Sequence, residues 1–197
     1  MSKGQITKAR ILHQAAELFN QQGYAGSSMS DVMDVTGLKK GGIYNHFKTK
    51  DELSLAAFDY AIATLAQHHR AVLRQHHHAA DRLLGIMAVF SSFIDHPPVA
   101  GGCPLMNTAI EADDAHPALK ARAQQAMTNL RKLLCHIVDT GIAKGELQPA
   151  VDSDVFATIL ISTIEGAIMI SKLYDDPVHL ERAIAHLTDY IDEYLRI

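Results

Sequence analysis

Residues 23–53 read GYAGSSMSDVMDVTGLKKGGIYNHFKTKDEL. This stretch holds two helix starts on either side of a tight turn. Ser28, followed three residues later by Asp31, forms a capping box, in which a hydroxyl and a carboxylate satisfy the first free amide hydrogens of a helix. That helix carries Val32, Met33 and Val35 and stops at Gly37. A short helix follows over about residues 40–47, and a second box, Thr49 with Glu52, opens a long helix reaching about His76. A helix, a turn at Gly37-Leu38 and a second short helix make a helix-turn-helix.

The short helix has the polarity that a DNA reader needs. Ile43 and Phe47 lie four apart and anchor it inward, leaving Lys40, Tyr44, Asn45 and His46 to face outward. Gly41 and Gly42 each cost a helix roughly 1 kcal/mol relative to alanine. A functional reason for keeping both is that a missing Cβ lets the backbone approach a duplex closely; the plain alternative is a loosely formed turn. Lys39 and Lys40 sit at the start of this helix, and Lys48 and Lys50 at the start of the next. Cations are mildly unfavourable at helix N-termini. Two successive breaches of that rule point to a bound anion, and phosphate fits, although Asp51 and Glu52 offset part of the charge of Lys50.

The rest of the chain reads as helix throughout, because apolar residues recur with a period near 3.6 and hardly ever alternate. A first helix spans about Gln5 to Gln22, with Leu12, Ala15, Ala16 and Phe19 on its buried face. Gly23 ends it in a left-handed conformation that folds Tyr24 back onto Phe19. Further helices are expected over about Arg82–Asp95, from Pro104, over Pro117–Ala143, from an Asp152 or Ser153 cap to Tyr174, and over about Pro177–Arg196. The class is all-α with about nine helices: an N-terminal three-helix helix-turn-helix domain over residues 1–48 and a helical domain over residues 49–197. The eighth helix is apolar nearly all round and the ninth carries the stripe Leu180, Ala183, Ile184, Leu187, Ile191 and Leu195. Faces of this kind are covered by a second subunit more readily than within one small bundle.

Charge and composition agree with this division. Residues 1–50 carry seven Lys or Arg against three Asp or Glu, and residues 51–197 carry eleven against nineteen. The asymmetry places a polyanion at the N-terminal end. Apolar residues make up 48% of the 197, enough for a real core. The longest apolar run, Val155 to Ser171, carries Glu165 and falls short of a membrane span of about 20 residues, and no leader is visible. Two cysteines without paired spacing fit a reducing cytoplasm rather than a disulfide framework or zinc site. His68, His69, His76, His77 and His78 have no carboxylate or cysteine at ligand spacing, so a solvated helix end describes them better than a metal site. No nucleophile elbow, zinc-protease helix, phosphate-binding loop or dinucleotide fingerprint is present, which leaves an enzyme without machinery and implies no cofactor.

The stretch from Gly23 to Leu53 resembles the DNA-binding domain of the TetR family of transcriptional regulators. Its marks are Gly23-Tyr24 after the first helix, Tyr44-Asn45-His46-Phe47 closing the third, and Lys50-Asp51-Glu52-Leu53 opening the fourth. The resemblance implies a repressor released from a palindromic operator by a small molecule. It implies phosphate contacts by Ser28, Tyr44 and Lys50, a backbone contact by His46, and Lys40 and Gly42 at the groove, with Lys39, Gly41 and Asn45 beside them. It further implies a homodimer through the eighth and ninth helices and an effector cavity between the fourth and eighth. Met87, Phe90, Phe93, Met106, Met127 and Met169 are candidates to line that cavity, with Cys103 and Asn107 next to it; the alternative is an ordinary core. The chain departs from the family pattern at Lys39, where many members have Ser, and at Gly42, where many have Ser or Thr.

Cys103 supports a second reading. Pro104 at a first helical position leaves Cys103 as the cap, where free amide hydrogens favour a thiolate, and Gly101 and Gly102 are expected to leave the loop unshielded. The segment from Gly102 to Glu111 also resembles one in a subgroup of the family, some of whose members sense electrophiles or oxidants near this position. That implies Cys103 as a reactive sensor; a small buried packing cysteine is the alternative.

Overall fold

The computed structural model describes residues 2–93, 96–113 and 115–197. Among them are nine α-helices and no strand: α1 (Lys3–Gln22), α2 (Met29–Thr36), α3 (Lys40–Tyr44), α4 (Lys50–Leu73), α5 (Ala79–Ser91), α6 (Pro104–Ala112), α7 (Pro117–Ala143), α8 (Ser153–Tyr174) and α9 (Val178–Tyr190). They form two compact units, Met1–Leu65 with Val99–Ala126 and Ala66–Pro98 with Met127–Ile197.

In the first unit α1 begins earlier than the expected Gln5. The Ser2 hydroxyl accepts from the Gln5 amide while the Gln5 side chain accepts from the Ser2 amide, a capping box that pulls the start to Lys3. Ile11, Ala15 and Leu18 recur at helical spacing and are buried, with Ala16 beside them. Leu12 and Phe19, expected at the centre of that face, are only partly covered. The core that closes on α1 comes from Val32, Ile43, Phe47, Leu53, Ala57 and Ala61. Gly23 adopts φ 80° and ψ 158°, positive in φ but extended rather than left-handed helical. The turn still brings Tyr24 edge-on to Phe19, with ring centroids 6.3 Å apart. At the head of α4 the Thr49 hydroxyl accepts from the Glu52 amide at 3.0 Å. The Glu52 carboxylate reaches one residue further back than in a standard box, accepting from the Lys48 amide at 2.7 Å.

In the second unit α5 starts three residues before the expected Arg82, because the His78 ring nitrogen caps it, accepting from the Ala80 amide at 3.2 Å. The expected end at Asp95 lies outside the described residues. The Asp152 carboxylate caps α8 through the amides of Asp154 and Val155, both at 3.0 Å. α9 runs into a π-helical turn, Ile191–Leu195, rather than continuing as α-helix to Arg196. The chain end is drawn away from the helix there: Gln148 donates to the Leu195 carbonyl at 2.8 Å and Ile197 to the Glu146 carbonyl at 3.2 Å. The Arg196 guanidinium binds Asp81 at 2.6 Å and Asp192 at 2.9 Å, and its hydrogen bond holds the Asp81 carboxyl below the usual carboxylate range. The apolar run Val155 to Ser171 sits in a helix of 22 residues, long and apolar enough to span a membrane, with mean hydropathy 1.6 over its most apolar window; an apolar helix at a subunit interface has the same composition.

Candidate nucleic-acid interface

The interface is built on α2 and α3. The Ser28 hydroxyl accepts from the amides of Ser30 and Asp31 at 3.2 Å each, and the Asp31 carboxylate accepts from the Ser28 amide at 2.7 Å. That last bond is the main reason the Asp31 carboxyl lies below its ordinary value. α2 closes on Gly37 in the left-handed conformation, φ 63° and ψ 19°. Such a conformation costs any other common residue steric strain. Val32 and Ile43 are fully buried and Phe47 nearly so, so both helices are clamped by one apolar seam.

Clamping that side turns the other outward. Lys39, Lys40, Gly41 and Asn45 are exposed and Gly42, Tyr44 and His46 are half-buried. α3 is shorter than the expected 40–47. It ends at Tyr44, after which the Phe47 amide still reaches the Ile43 carbonyl at 3.0 Å. Lys39 caps α3 by backbone position with no side-chain cap bond, since an ammonium group has no acceptor to offer the free amides. The Lys40 ammonium stands 5.6 Å from the Tyr44 ring centroid, and Lys48 donates to the Tyr44 carbonyl at 3.0 Å.

Neither glycine of α3 is required by the interior. A Cβ on Gly41 meets nothing within 4 Å, and one on Gly42 makes only ordinary contact with Leu38, at 3.5 Å or more. Neither has positive φ. The cost of two helical glycines therefore has no internal compensation.

Lys50 is half-buried. Its ammonium sits 4.1 Å from the centroid of the Tyr24 ring, in cation–π contact. The Tyr24 hydroxyl donates to the Asp51 carboxylate, and burial, then this bond and the charge of Asp51, push the phenol up to about 12. It therefore remains a neutral donor at physiological pH. The His116 ring packs edge-on to Tyr24 with centroids 4.8 Å apart, and its Nε2 lies 3.8 Å from Asp51. Glu111, at the end of α6, accepts from the amides of Tyr24 at 2.9 Å and Ala25 at 2.7 Å. A Cβ on Gly23 would lie 2.8 Å from that carboxylate. Sequence reading missed Glu111 and His116, because their partners lie more than sixty residues away and no local pattern marks them.

A second clasp joins the end of α1 to the loop before α6. The Asn20 side chain donates to the carbonyls of Ala100 and Gly102 at 2.9 and 3.0 Å. The Asn107 side chain donates to the Asn20 carbonyl and side-chain oxygens and to the Gly101 carbonyl. Asn107, expected beside an effector, is thus engaged as a structural tie. Gly101, at φ 108°, presses so close that a Cβ would lie 2.7 Å from the Asn20 carbonyl oxygen. This packing corrects the expectation of an unshielded loop: Cys103 is 1% exposed and caps α6 through its carbonyl, which accepts from Asn107 at 3.1 Å.

The other effector candidates are divided between the units. Cys103, Met106 and Asn107 lie in the first, and Met87, Phe90, Phe93, Met127 and Met169 in the second. Met87, Phe90 and Phe93 are buried, with Phe90 and Phe93 ring centroids 5.1 Å apart and His69 5.6 Å from Phe90. Met106 and Met127 are half-buried. Met169 is half exposed, on the outward face of α8 rather than in a wall enclosed by its own chain. Among the described residues no three His, Cys, Asp or Glu side chains gather as metal ligands.

Known proteins match both parts of the chain. Residues 11–57 match the family described as bacterial regulatory proteins, tetR family, and residues 79–187 match the tetracyclin repressor-like C-terminal domain. The solved structure of a TetR transcriptional regulator from Chloroflexus aurantiacus J-10-FL superposes with a TM-score of 0.95 at 45% identity over all of both chains. One from Cytophaga hutchinsonii superposes with a TM-score of 0.88 at 34% identity, over 99% of this chain and 98% of that one. The transcriptional repressor ComR of Escherichia coli is 29% identical over 160 residues, 79% of this chain and 74% of that one. With a helix-turn-helix at one end, an apolar helical remainder and matches to the family over both, the chain belongs to the TetR family of transcriptional regulators.

Proposed function

We propose that the protein is a ligand-responsive repressor that binds a two-fold operator as a homodimer and leaves it when a small molecule binds. Residues 1–48 are the DNA-binding part and residues 49–197 the effector and dimerisation part. The observation that carries this reading is the outward face of α3. Lys39, Lys40 and Asn45 are exposed there, and its two glycines serve no internal packing. In this reading Lys39, Lys40, Gly41, Gly42 and Asn45 meet the groove, while Ser28, Tyr44, His46 and Lys50 meet the backbone. Phosphate contacts of this kind fix register, and base contacts supply sequence.

The dimer rests on one face of α8. Val155, Ile159, Met169 and Leu173 are at least half exposed. They share the i, i+4, i+7 spacing with Ser162 and with Gly166, whose Cβ position is open. An apolar stripe of this length on a folded chain marks an association surface. The effector site is assigned to the second unit, around Met87, Phe90 and Met127, and the chain acts by binding, in the cytoplasm, where its operator is. The burial of Cys103 favours the small-molecule reading over a thiol sensor.

The test is selection of bound duplexes from a random library by the purified full chain. The expected result is enrichment of inverted repeats with half-sites about one helical turn apart. Enrichment of a single half-site, or of nothing, would contradict the two-fold reading.

A further inference from the structure

The first unit contains a cavity of about 190 Å³ that none of the expected effector residues line. It lies among α1, α4, α6, the turn after α1 and the first turn of α7, and most of its wall is apolar, with Ala57, Phe58 and Ala61 on the α4 side. Ala25 and Ala115 at its rim are exposed, so it opens to solvent. An apolar cavity of roughly 150 Å³ accepts a benzene ring, so this one has room for a ring with one substituent.

The polar part of the wall sets the substituent. Glu111 lines it and uses its two carboxylate oxygens on the Tyr24 and Ala25 amides. Each oxygen keeps a further lone pair and has no proton to give. Thr108 adds a hydroxyl and His116 an imidazole whose Nδ1 already accepts from the Leu119 amide at 3.1 Å. A neutral His116 therefore carries its proton on Nε2, which lies 3.8 Å from the Asp51 carboxylate, so His116 adds its ring edge to the wall. A carboxylate on the wall repels an anion and welcomes a hydrogen-bond donor. We propose that this cavity is a second small-molecule site, for a neutral aromatic carrying a hydroxyl or amine, of the size of phenol or aniline. A ligand there touches Glu111, Tyr24 and His116, the groups that hold the turn before the helix-turn-helix. The site therefore acts on the DNA-binding part without passing through Met87 and Phe90. Its existence does not depend on the operator or on the dimer.

The test is titration of phenol and of benzoate into the full-length protein, without DNA, followed by amide chemical shifts. Phenol is expected to shift the Tyr24, Ala25, Glu111 and Leu119 amides saturably, and benzoate to bind at least about tenfold more weakly because its carboxylate meets Glu111. Ala61→Leu fills the cavity and should abolish the phenol shifts. Thr108→Val keeps the shape and should weaken phenol severalfold. If Ala61→Leu does not fold, Thr108→Val and the amide map decide. Shifts confined to residues 66–98 and 127–197, no saturable shift, benzoate binding as well as phenol, or undiminished binding in a folded Ala61→Leu each overturn the proposal.

Discussion

The Glu111 carboxylate accepts the backbone amide of Tyr24 at 2.9 Å, and with its other oxygen that of Ala25 at 2.7 Å. One side chain at the end of α6 thus fixes the turn that leads from the Gly23 cap of α1 into α2. Removing it leaves two amides without their acceptor. Glu111→Ala is expected to cost about 1–3 kcal/mol of stability and to speed hydrogen exchange at Tyr24 and Ala25 ahead of the rest of α1. Unchanged exchange at both amides would show that the clasp is not what holds the turn.

Gly42 separates stability from function. Its Cβ position is nearly empty, so Gly42→Ala should stabilise the fold by up to about 1 kcal/mol in a urea melt. The same methyl group projects toward the duplex in the proposed pose, and affinity for DNA should fall. A variant that is more stable and binds DNA equally well would place Gly42 away from the groove.

His69 is 7% exposed and lies against Phe90. Burial first, and then the neighbouring His68, lowers its pKa from 6.5 to about 4. The unfolded chain takes up this proton as pH falls through 6.5, whereas the folded chain resists until about pH 4. Stability therefore declines as pH drops across that window, by on the order of 3 kcal/mol from this residue. Denaturation midpoints of His69→Leu should fall less steeply between pH 6.5 and 4 than those of the unaltered protein; equal slopes would remove His69 as the cause. Asp81, held below its ordinary value by Arg196, also loses stability on acidification, but only at lower pH.

Ile159 stands at the middle of the exposed face of α8. A glutamate there places an unpaired charge in the proposed interface, where desolvation is unfavourable. Sedimentation at micromolar concentration should give twice the chain mass of 21.6 kDa for the unaltered protein and the single chain mass for Ile159→Glu. A dimeric variant would move the interface elsewhere.

The helices were legible because their signals are local. Ser28 with Asp31, Pro104, Pro117 and Asp152 each mark a start within one turn of chain, and α6, α7 and α8 begin where those residues place them. The polarity of α3 was legible for the same reason. What sequence did not show is long-range. Glu111 and His116 acquire their roles from Tyr24 and Asp51, and Asn107 from Asn20. The burial of Cys103 follows from a loop pinned by two asparagines, and two glycines before it read as exposure. His78 as a cap and the π-helical turn before Arg196 were missed because each competes with a stronger local expectation, a solvated histidine run and a continuous apolar stripe.

In the proposed complex the helix-turn-helix with its lysines binds duplex DNA through phosphates. The most direct measurement is the affinity of the full chain for duplex DNA across a salt series, repeated for Lys50→Ala. Lys50 is held over Tyr24 at 4.1 Å, so its ammonium is positioned before DNA arrives. Affinity should fall steeply with salt, as released counterions require, and Lys50→Ala should weaken binding to all duplexes alike and reduce the slope by about one. Affinity independent of salt would contradict the claim, and an unchanged slope in Lys50→Ala would take Lys50 out of the interface.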